Sequence, residues 1–452
     1  MSGPGILLKE GMFMTKRKGL DRRDFIKASA LGLAGVGTTL AAKPSQAGQA
    51  ASAGTAKIKS YRTLGRTGFK ASDIGIGTSQ TFPTPVISAA IDAGVNYFDT
   101  SEGYGRGAAE RSIGEAIKGR DRKSLFITTK VRTDGLAGTA EVAEKVQQCL
   151  ERLQTDYVDC VMMPGPPTAE SVKSEVYHNA IEELKKQGKV RFSGISSHGS
   201  RQPGQGEPME NVLLAAVDDG RFDVVLVVYN FLQKEPGEKV LEAAAKKNIA
   251  ATIMKSNPLG RYYDMKARVE QMKKDGQAID ERMQKSIAQM EETAKQAESF
   301  IQKNGLKTPA EIKAAALKFV LADPRVHTLN LAFNTFEDVQ NYLALSGSGL
   351  GQKEQGLLAS FERECGSLYC RHACGVCESQ CPSGVPVNTI MRYNHYFEAQ
   401  GSEKFAMEKY AALETAKADA CRTCEGWCER ACPHGVPVRT LLCLAHAHLT
   451  LP

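Results

Sequence analysis

Apolar and polar positions alternate with two different periods along this chain. Between Tyr61 and Gly347, short β-rich apolar runs recur at Ile74–Thr78, Val95–Asp99, Leu125–Lys130, Tyr157–Met163, Val190–Ile195, Asp223–Val228, Ile249–Met254 and His327–Ala332. Segments of helical length and spacing separate them, as at Glu110–Lys118 and Thr139–Leu153. Strands that alternate with helices pair in parallel. Eight such units over residues 60–347 predict an α/β fold, a (β/α)8 TIM barrel. A doubly wound sheet is the competitor, but no G-x-G-x-x-G opens the first helix. A charged insert, Tyr262–Asn304, follows the seventh run and reads as one or two exposed helices with a solvated face.

Beyond residue 355 the pattern changes. Of twelve cysteines, only Cys149 and Cys160 lie in the long first part, and Cys160, on the fourth strand, reads as a core thiol. The others crowd between Cys365 and Cys443, in two copies of one motif: Cys370-x3-Cys374-x2-Cys377-x3-Cys381-Pro and Cys421-x2-Cys424-x3-Cys428-x3-Cys432-Pro. A disulfide framework would spread its cysteines over the fold, and structural zinc usually takes separated pairs or adds histidine. Bacterial iron–sulfur runs follow C-x2-C-x2-C-x3-C-P, so each copy here carries one extra residue in one gap. The eight cysteines therefore point to two 4Fe-4S clusters. In two-cluster ferredoxins the last cysteine of each run serves the other cluster. That rule pairs Cys370, Cys374 and Cys377 with Cys432, and Cys421, Cys424 and Cys428 with Cys381; Cys365 and Cys443 fall outside it. Asn388–Ala420 has helical spacing and no strand signal, so residues 355–452 resemble a small, mainly helical ferredoxin-like domain.

The formal charge of +7 is small for 452 residues, and no basic stripe interleaved with aromatics argues for nucleic acid. Part of that charge lies in residues 1–53, where a basic stretch, a short apolar stretch and small residues follow one another. That order suits an export signal, and the apolar part is too short for a stable membrane span. Asp21-Arg-Arg-Asp-Phe-Ile-Lys27 resembles the twin-arginine motif, which implies periplasmic export of a protein already folded around its cofactors. An uncleaved segment would anchor the chain weakly.

Chemistry in such a barrel belongs at the carboxyl ends of the strands. Asp99 closes the second strand, Lys130 closes the third, and Tyr104 follows in the loop. An ammonium beside a tyrosine favours the phenolate, so the expectation is a lowered pKa and a proton donor for a carbonyl. A rim salt bridge with a nearby tyrosine is the plainer alternative. Tyr61-Arg-Thr-Leu-Gly-Arg-Thr-Gly, Asn96-Tyr-Phe-Asp-Thr-Ser-Glu-Gly-Tyr-Gly, Gly188-Lys-Val-Arg-Phe-Ser-Gly-Ile-Ser and Asn257-Pro-Leu-Gly occur in the order, and with the residues, of the aldo-keto reductase family, which the barrel resembles. That resemblance implies reduction of aldehydes and ketones with NADPH by an Asp–Tyr–Lys–His tetrad, whose first three places Asp99, Tyr104 and Lys130 fill. Ser196, Ser197 and Lys255 stand where the family contacts nicotinamide.

The chain also departs from the family. Pro164 stands where the fourth strand carries the tetrad histidine, Ser197 replaces an asparagine, Leu226 a glutamine and Ser256 a stacking tyrosine. A buried carboxamide left unpaired costs about 1–3 kcal/mol. His198, near the vacant fourth place, reads as a loop residue. A subgroup of the family carries a C-terminal dicluster segment, and the resemblance to it runs from Tyr61 nearly to the end. The combined expectation is an exported iron–sulfur oxidoreductase acting on a small carbonyl or alcohol, with a redox partner protein in place of NADP(H). The alternatives are a non-catalytic electron carrier built on a degenerate barrel and a conventional NADPH reductase with structural clusters.

Overall fold

The computed structural model describes residues 56–79, 83–133, 135–198, 206–258, scattered positions from 281 to 292, 309–398 and 402–450. The export-like segment and most of the 262–304 insert lie outside these residues. The described residues form one compact unit.

Two short strands, β1 (Tyr61–Thr63) and β2 (Lys70–Ser72), pair antiparallel. Eight more close a parallel barrel: β3 (Ile74–Gly77), β4 (Tyr97–Asp99), β5 (Phe126–Lys130), β6 (Val158–Pro164), β7 (Val190–Ser196), β8 (Val224–Val228), β9 (Ala250–Met254) and β10 (Thr328–Leu331). β10 pairs with both β9 and β3 and so completes the ring. Each expected apolar run became one of these strands. Helices α1 (Thr84–Asp92), α2 (Ala108–Ile117), α3 (Thr139–Leu153), α4 (Glu175–Lys186), α5 (Met209–Asp219), α6 (Glu235–Lys246), α7 (Pro309–Leu321) and α8 (Phe336–Leu343) accompany them. Covered on both faces, strands such as β8 (VVLVV) and β9 (AATIM) are buried at every position, which explains their continuous apolar runs. Cys160 is fully buried, as expected of a core thiol. Gly194 of β7 is forced by close approach, because a Cβ there would lie 2.6 Å from the Met162 side chain and 2.7 Å from Cys160 Sγ.

The hairpin lies toward the amino end of the barrel. Its Phe69 ring lies 5.3 Å from Phe126, which stacks on Tyr97 at 5.5 Å and on Phe192 at 6.0 Å. The sequence pattern missed this hairpin because three-residue strands leave no periodic signature. It leaves the carboxyl end of the barrel as the face available for chemistry.

After the barrel, α9 (Gln352–Cys365) lies along α7, where Leu357, Leu358 and Phe361 pack on Ile312, Ala315 and Ala316. Each large side chain buried there contributes roughly 1.5–3 kcal/mol. The tail continues through α10 (Val387–Glu398), α11 (Glu403–Ala411), the short α12 (Trp427–Ala431) and α13 (Val438–Leu449), around a core of Val385, Ile390, Tyr410, Val436 and Leu442. Met283 and Ile287 of the insert, four residues apart on a helical face, join this core. Those positions therefore do not belong to a solvated face. The duplication is three-dimensional. Gly384 and Gly435, with φ of 62° and 63°, make the same left-handed turn after Cys381 and Cys432, a conformation that favours glycine. Glu378 accepts from Asn388 N at 2.7 Å in one copy, and Glu429 from Thr440 N at 3.2 Å in the other.

Candidate active site and cysteine cages

Register brings the expected trio together at the mouth of the barrel. Lys130 Nζ donates to Asp99 Oδ1 at 2.6 Å and to the Thr100 carbonyl at 2.9 Å, with both charged side chains buried. The same ammonium lies 5.1 Å from the centre of the Tyr104 ring. Tyr104 is held by its loop, since Glu102 accepts from Arg132 N at 2.9 Å and pairs with Lys145 at 3.3 Å, tying the end of β4 to β5 and α3. Burial disfavours the Lys130 ammonium, but Asp99 and Tyr104 more than offset this, and its pKa ends above the ordinary lysine value.

The expected drop in the Tyr104 pKa does not occur. Burial pushes the phenol up to about 12, Lys130 pulls it back only in part, and Asp99 and Tyr396 add to the rise. Sequence spacing revealed the ammonium but not the desolvation.

A cavity of about 840 Å³, within the range of small-molecule sites, opens beside Tyr104 and Lys130. Pro164 and Gly165 line it at the end of β6, Ser196 and His198 at the end of β7, and α10 and α11 form its opposite wall. His198, read from sequence as a loop residue, thus stands in the same cavity as Tyr104 and Lys130. Its Nδ1 is buried with no hydrogen-bond partner among the described residues, and burial together with the Arg392, Lys255 and Lys130 charges holds it far below the usual histidine range. It is a neutral imidazole at physiological pH.

Of the three residues expected at the nicotinamide, Ser196 lines the cavity and Ser197 is fully buried. Lys255, in a strained backbone conformation with φ of 57°, sits beneath the tail. Its Nζ lies 4.2 Å from the centre of the Tyr396 ring on α10. Burial alone would raise the Tyr396 phenol, but Lys255 and Arg392 outweigh it and bring the pKa below the ordinary tyrosine value. The lowered phenol is therefore on the tail and not in the barrel loop. His395 neighbours His372, with ring centres 4.9 Å apart, and burial and Lys255 depress it to about 3. Arg392, His395 and Tyr396 went unnoticed in the sequence; the one available signal was the polar and aromatic face Thr389, Arg392, Tyr393, Tyr396 at helical spacing.

The first cysteine run is docked on the barrel directly. Gln233 Nε2 donates to the His372 carbonyl, Asn230 Nδ2 to the Tyr369 hydroxyl at 3.4 Å, and Met209 N to the Ala373 carbonyl at 3.3 Å. Cys370 interacts electrostatically with Cys377, Cys374 and Cys432, and these four thiols line one small cavity with Val376, Val387 and Val436. Cys421 interacts with Cys428, Cys381 and Cys424, and also with Cys443 on α13, which the spacing had set aside. The fourth cysteine of each run thus sits with the first three of the other. Burial, reinforced by neighbouring acidic groups, pushes the Cys377 and Cys428 thiols up to about 12, where they stay protonated unless a cationic centre reverses the balance. No described cysteine is in a disulfide. Among the described residues no group of three or more His, Cys, Asp or Glu is gathered closely enough to hold a metal ion.

Residues 67–354 match the model of the Aldo/keto reductase family. The chain belongs to that family. It is 33% identical over 150 residues to the uncharacterized oxidoreductase YqkF of Bacillus subtilis, covering 30% of this chain and 48% of that protein. With the aldo-keto reductase YhdN of the same organism the identity is 29% over 213 residues, covering 43% of this chain and 60% of the relative. The chain thus spans about half the length of the curated relatives it matches. Among solved structures, aldo-keto reductase AKR11C1 from Bacillus halodurans, holo form, aligns with a TM-score of 0.47 at 22% identity, over 67% of this chain and 95% of that one. An aldo/keto reductase from Klebsiella pneumoniae in complex with NADP and acetate gives 0.45 at 21%, with the same coverage. The family match ends at residue 354, so the cysteine runs and α10 lie outside it.

Proposed function

We propose that this chain is an oxidoreductase interconverting a small carbonyl compound and its alcohol at the barrel mouth, with electrons exchanged through the cysteine-rich tail. One observation carries the reading: α10, which connects the two cysteine runs, forms a wall of the cavity that contains Tyr104 and Lys130. A tail with an unrelated role would have no reason to supply that wall.

Reduction takes two electrons from the tail, one proton from Tyr104 to the carbonyl oxygen and one proton from solvent water to the carbonyl carbon, and oxidation of the alcohol returns them. Tyr104, with its pKa near 12, keeps its proton through neutral pH and gives it to the carbonyl oxygen. Lys130, charged and fixed by Asp99, stabilises the phenolate that forms. His198 supplies the neutral imidazole absent from the fourth strand and orients the carbonyl by a hydrogen bond.

The thiol sets Cys370, Cys374, Cys377, Cys432 and Cys421, Cys424, Cys428, Cys381 suit two 4Fe-4S clusters in number, chemistry and grouping. When bound, such a cluster gives or takes one electron at a time. Residues 355–452 would then act as a ferredoxin-like module beside the barrel of 60–347, with residues 1–53 directing twin-arginine export to the periplasm. Electrons would come from or go to a redox partner protein. The nicotinamide residues fit NADP(H) poorly, because Leu226 is an aliphatic side chain in the barrel wall and Lys255 is engaged by Tyr396. Among the described residues no helix is long and apolar enough to cross a membrane.

Anaerobic purification followed by iron and sulfide counts and EPR tests the reading. About eight irons and eight sulfides per chain are expected. An iron-free protein after anaerobic reconstitution would sink it. A carbonyl panel that reoxidises none of the reduced protein would favour the non-catalytic carrier.

A further inference from the structure

The cavity beside Tyr104 is strongly cationic in a way the carbonyl reaction does not require. Several of its charges are already neutralised: Lys130 by Asp99, Arg152 by Glu110, and Glu102 by Lys145. Arg392 is not. It comes from α10, outside the family barrel, is 5% exposed and lines the cavity. Among the described residues its guanidinium makes no hydrogen bond or salt bridge; its ring contact is Tyr393, 5.7 Å away, and the carboxylate it feels electrostatically, Glu378, accepts from Asn388 N and does not line the cavity. A guanidinium is always charged, and burying one without a counter-ion is costly unless a ligand supplies the charge. Five donors in a planar fork match a carboxylate or phosphate. Arg106, Arg132 and, exposed on α11, Lys409 also line the cavity, against Glu414 as a further carboxylate, and Lys409 toward solvent steers anions inward.

We propose that the substrate is an anionic carbonyl compound, or the corresponding alcohol, whose carboxylate or phosphate is held by Arg392 while its carbonyl faces Tyr104. The inference rests on the cavity being the reaction site. It makes the tail the source of substrate selectivity as well as one wall of the cavity.

Three probes share one aldehyde ring and differ in charge: 4-carboxybenzaldehyde, its methyl ester and 4-formylphenyl phosphate. Calorimetric titration of the full-length protein reads binding whether or not turnover occurs. One of the two anions should bind about tenfold or more tighter than the neutral ester, and which one does identifies the anion class. Arg392→Gln should bring that anion to the level of the ester and leave the ester unchanged, and Arg392→Lys should restore part of the difference. Equal binding of ester and both anions by the unaltered protein overturns the proposal, and this comparison needs no variant to fold. An Arg392→Gln protein of normal thermal stability that still prefers the anion overturns it too. Anion-selective binding without turnover would leave the anion site standing and count against the redox reading alone.

Discussion

The two ends of the barrel treat buried charge in opposite ways. Toward the amino end of β6, the fully buried Asp159 is met by Arg122 and Arg191, each at 2.8 Å, and by the Ile127 amide at 2.9 Å. At the carboxyl end, under the tail, Arg392 forms no salt bridge among the described residues, and within them one Asp99 oxygen and buried ring nitrogens of His198 and His372 lack hydrogen bonds. Buried polar groups are normally satisfied, so a cluster of unsatisfied ones marks a place that a substrate completes. The saturated end is scaffold and the unsaturated end is site.

If that contrast is right, the largest effect belongs to the unsaturated end. Tyr104→Phe should lower turnover by about 10²–10⁴-fold with the melting temperature and iron content unchanged. Unchanged turnover would remove Tyr104 from the reaction. The reverse pattern is expected at the saturated end. Asp159→Ala leaves two arginines without their carboxylate and should cost about 3–5 kcal/mol of stability by denaturant titration, with the substrate preference of the surviving folded protein intact.

The fold was legible in the sequence to the extent that burial has a period. All eight barrel strands could be read because each is a compact apolar run covered by helices. Asp99 and Lys130 could be placed because strand ends are easy to locate. Three things could not be read. The Tyr104 pKa depends on desolvation by distant segments, which no spacing encodes. Met283 and Ile287 are apolar positions in a highly charged stretch, and their partners lie in the tail. Arg392 and Tyr396 seemed part of an ordinary polar helix, because the cavity they face is built by loops more than 180 residues away in sequence. The cysteine grouping, by contrast, was available from a general rule about duplicated runs, and the fold brings the thiols together in that order.

A smaller effect concerns pH. Tyr104 has a folded-state pKa of about 12, above the value near 10 expected of an unfolded tyrosine. Its contribution to stability is therefore complete below pH 10 and is lost as pH rises toward 12. With Tyr104 partly open to the cavity, the alkaline loss should amount to about 1–2 kcal/mol, absent in Tyr104→Phe. Chemical denaturation at pH 9 and pH 11 measures the difference, and equal losses in both proteins would contradict it. The smallest effect is expected at the rim. Lys409→Gln should slow anion association a few-fold at low salt and vanish at high salt, because screening removes the steering of an exposed charge.

The central claim, that the tail feeds or drains the barrel's chemistry, has one direct test. The anaerobically purified protein is reduced with dithionite, freed of excess reductant, and mixed with carbonyl compounds, chiefly 4-carboxybenzaldehyde and 4-formylphenyl phosphate, while visible absorbance and EPR are followed. The expected result is carbonyl-dependent reoxidation with one alcohol formed per two electrons lost, slowed by Tyr104→Phe. Oxidised protein mixed with the corresponding alcohols should run in reverse if the physiological flow is outward. A protein with its full iron content whose redox state responds to no carbonyl and no alcohol would contradict the claim.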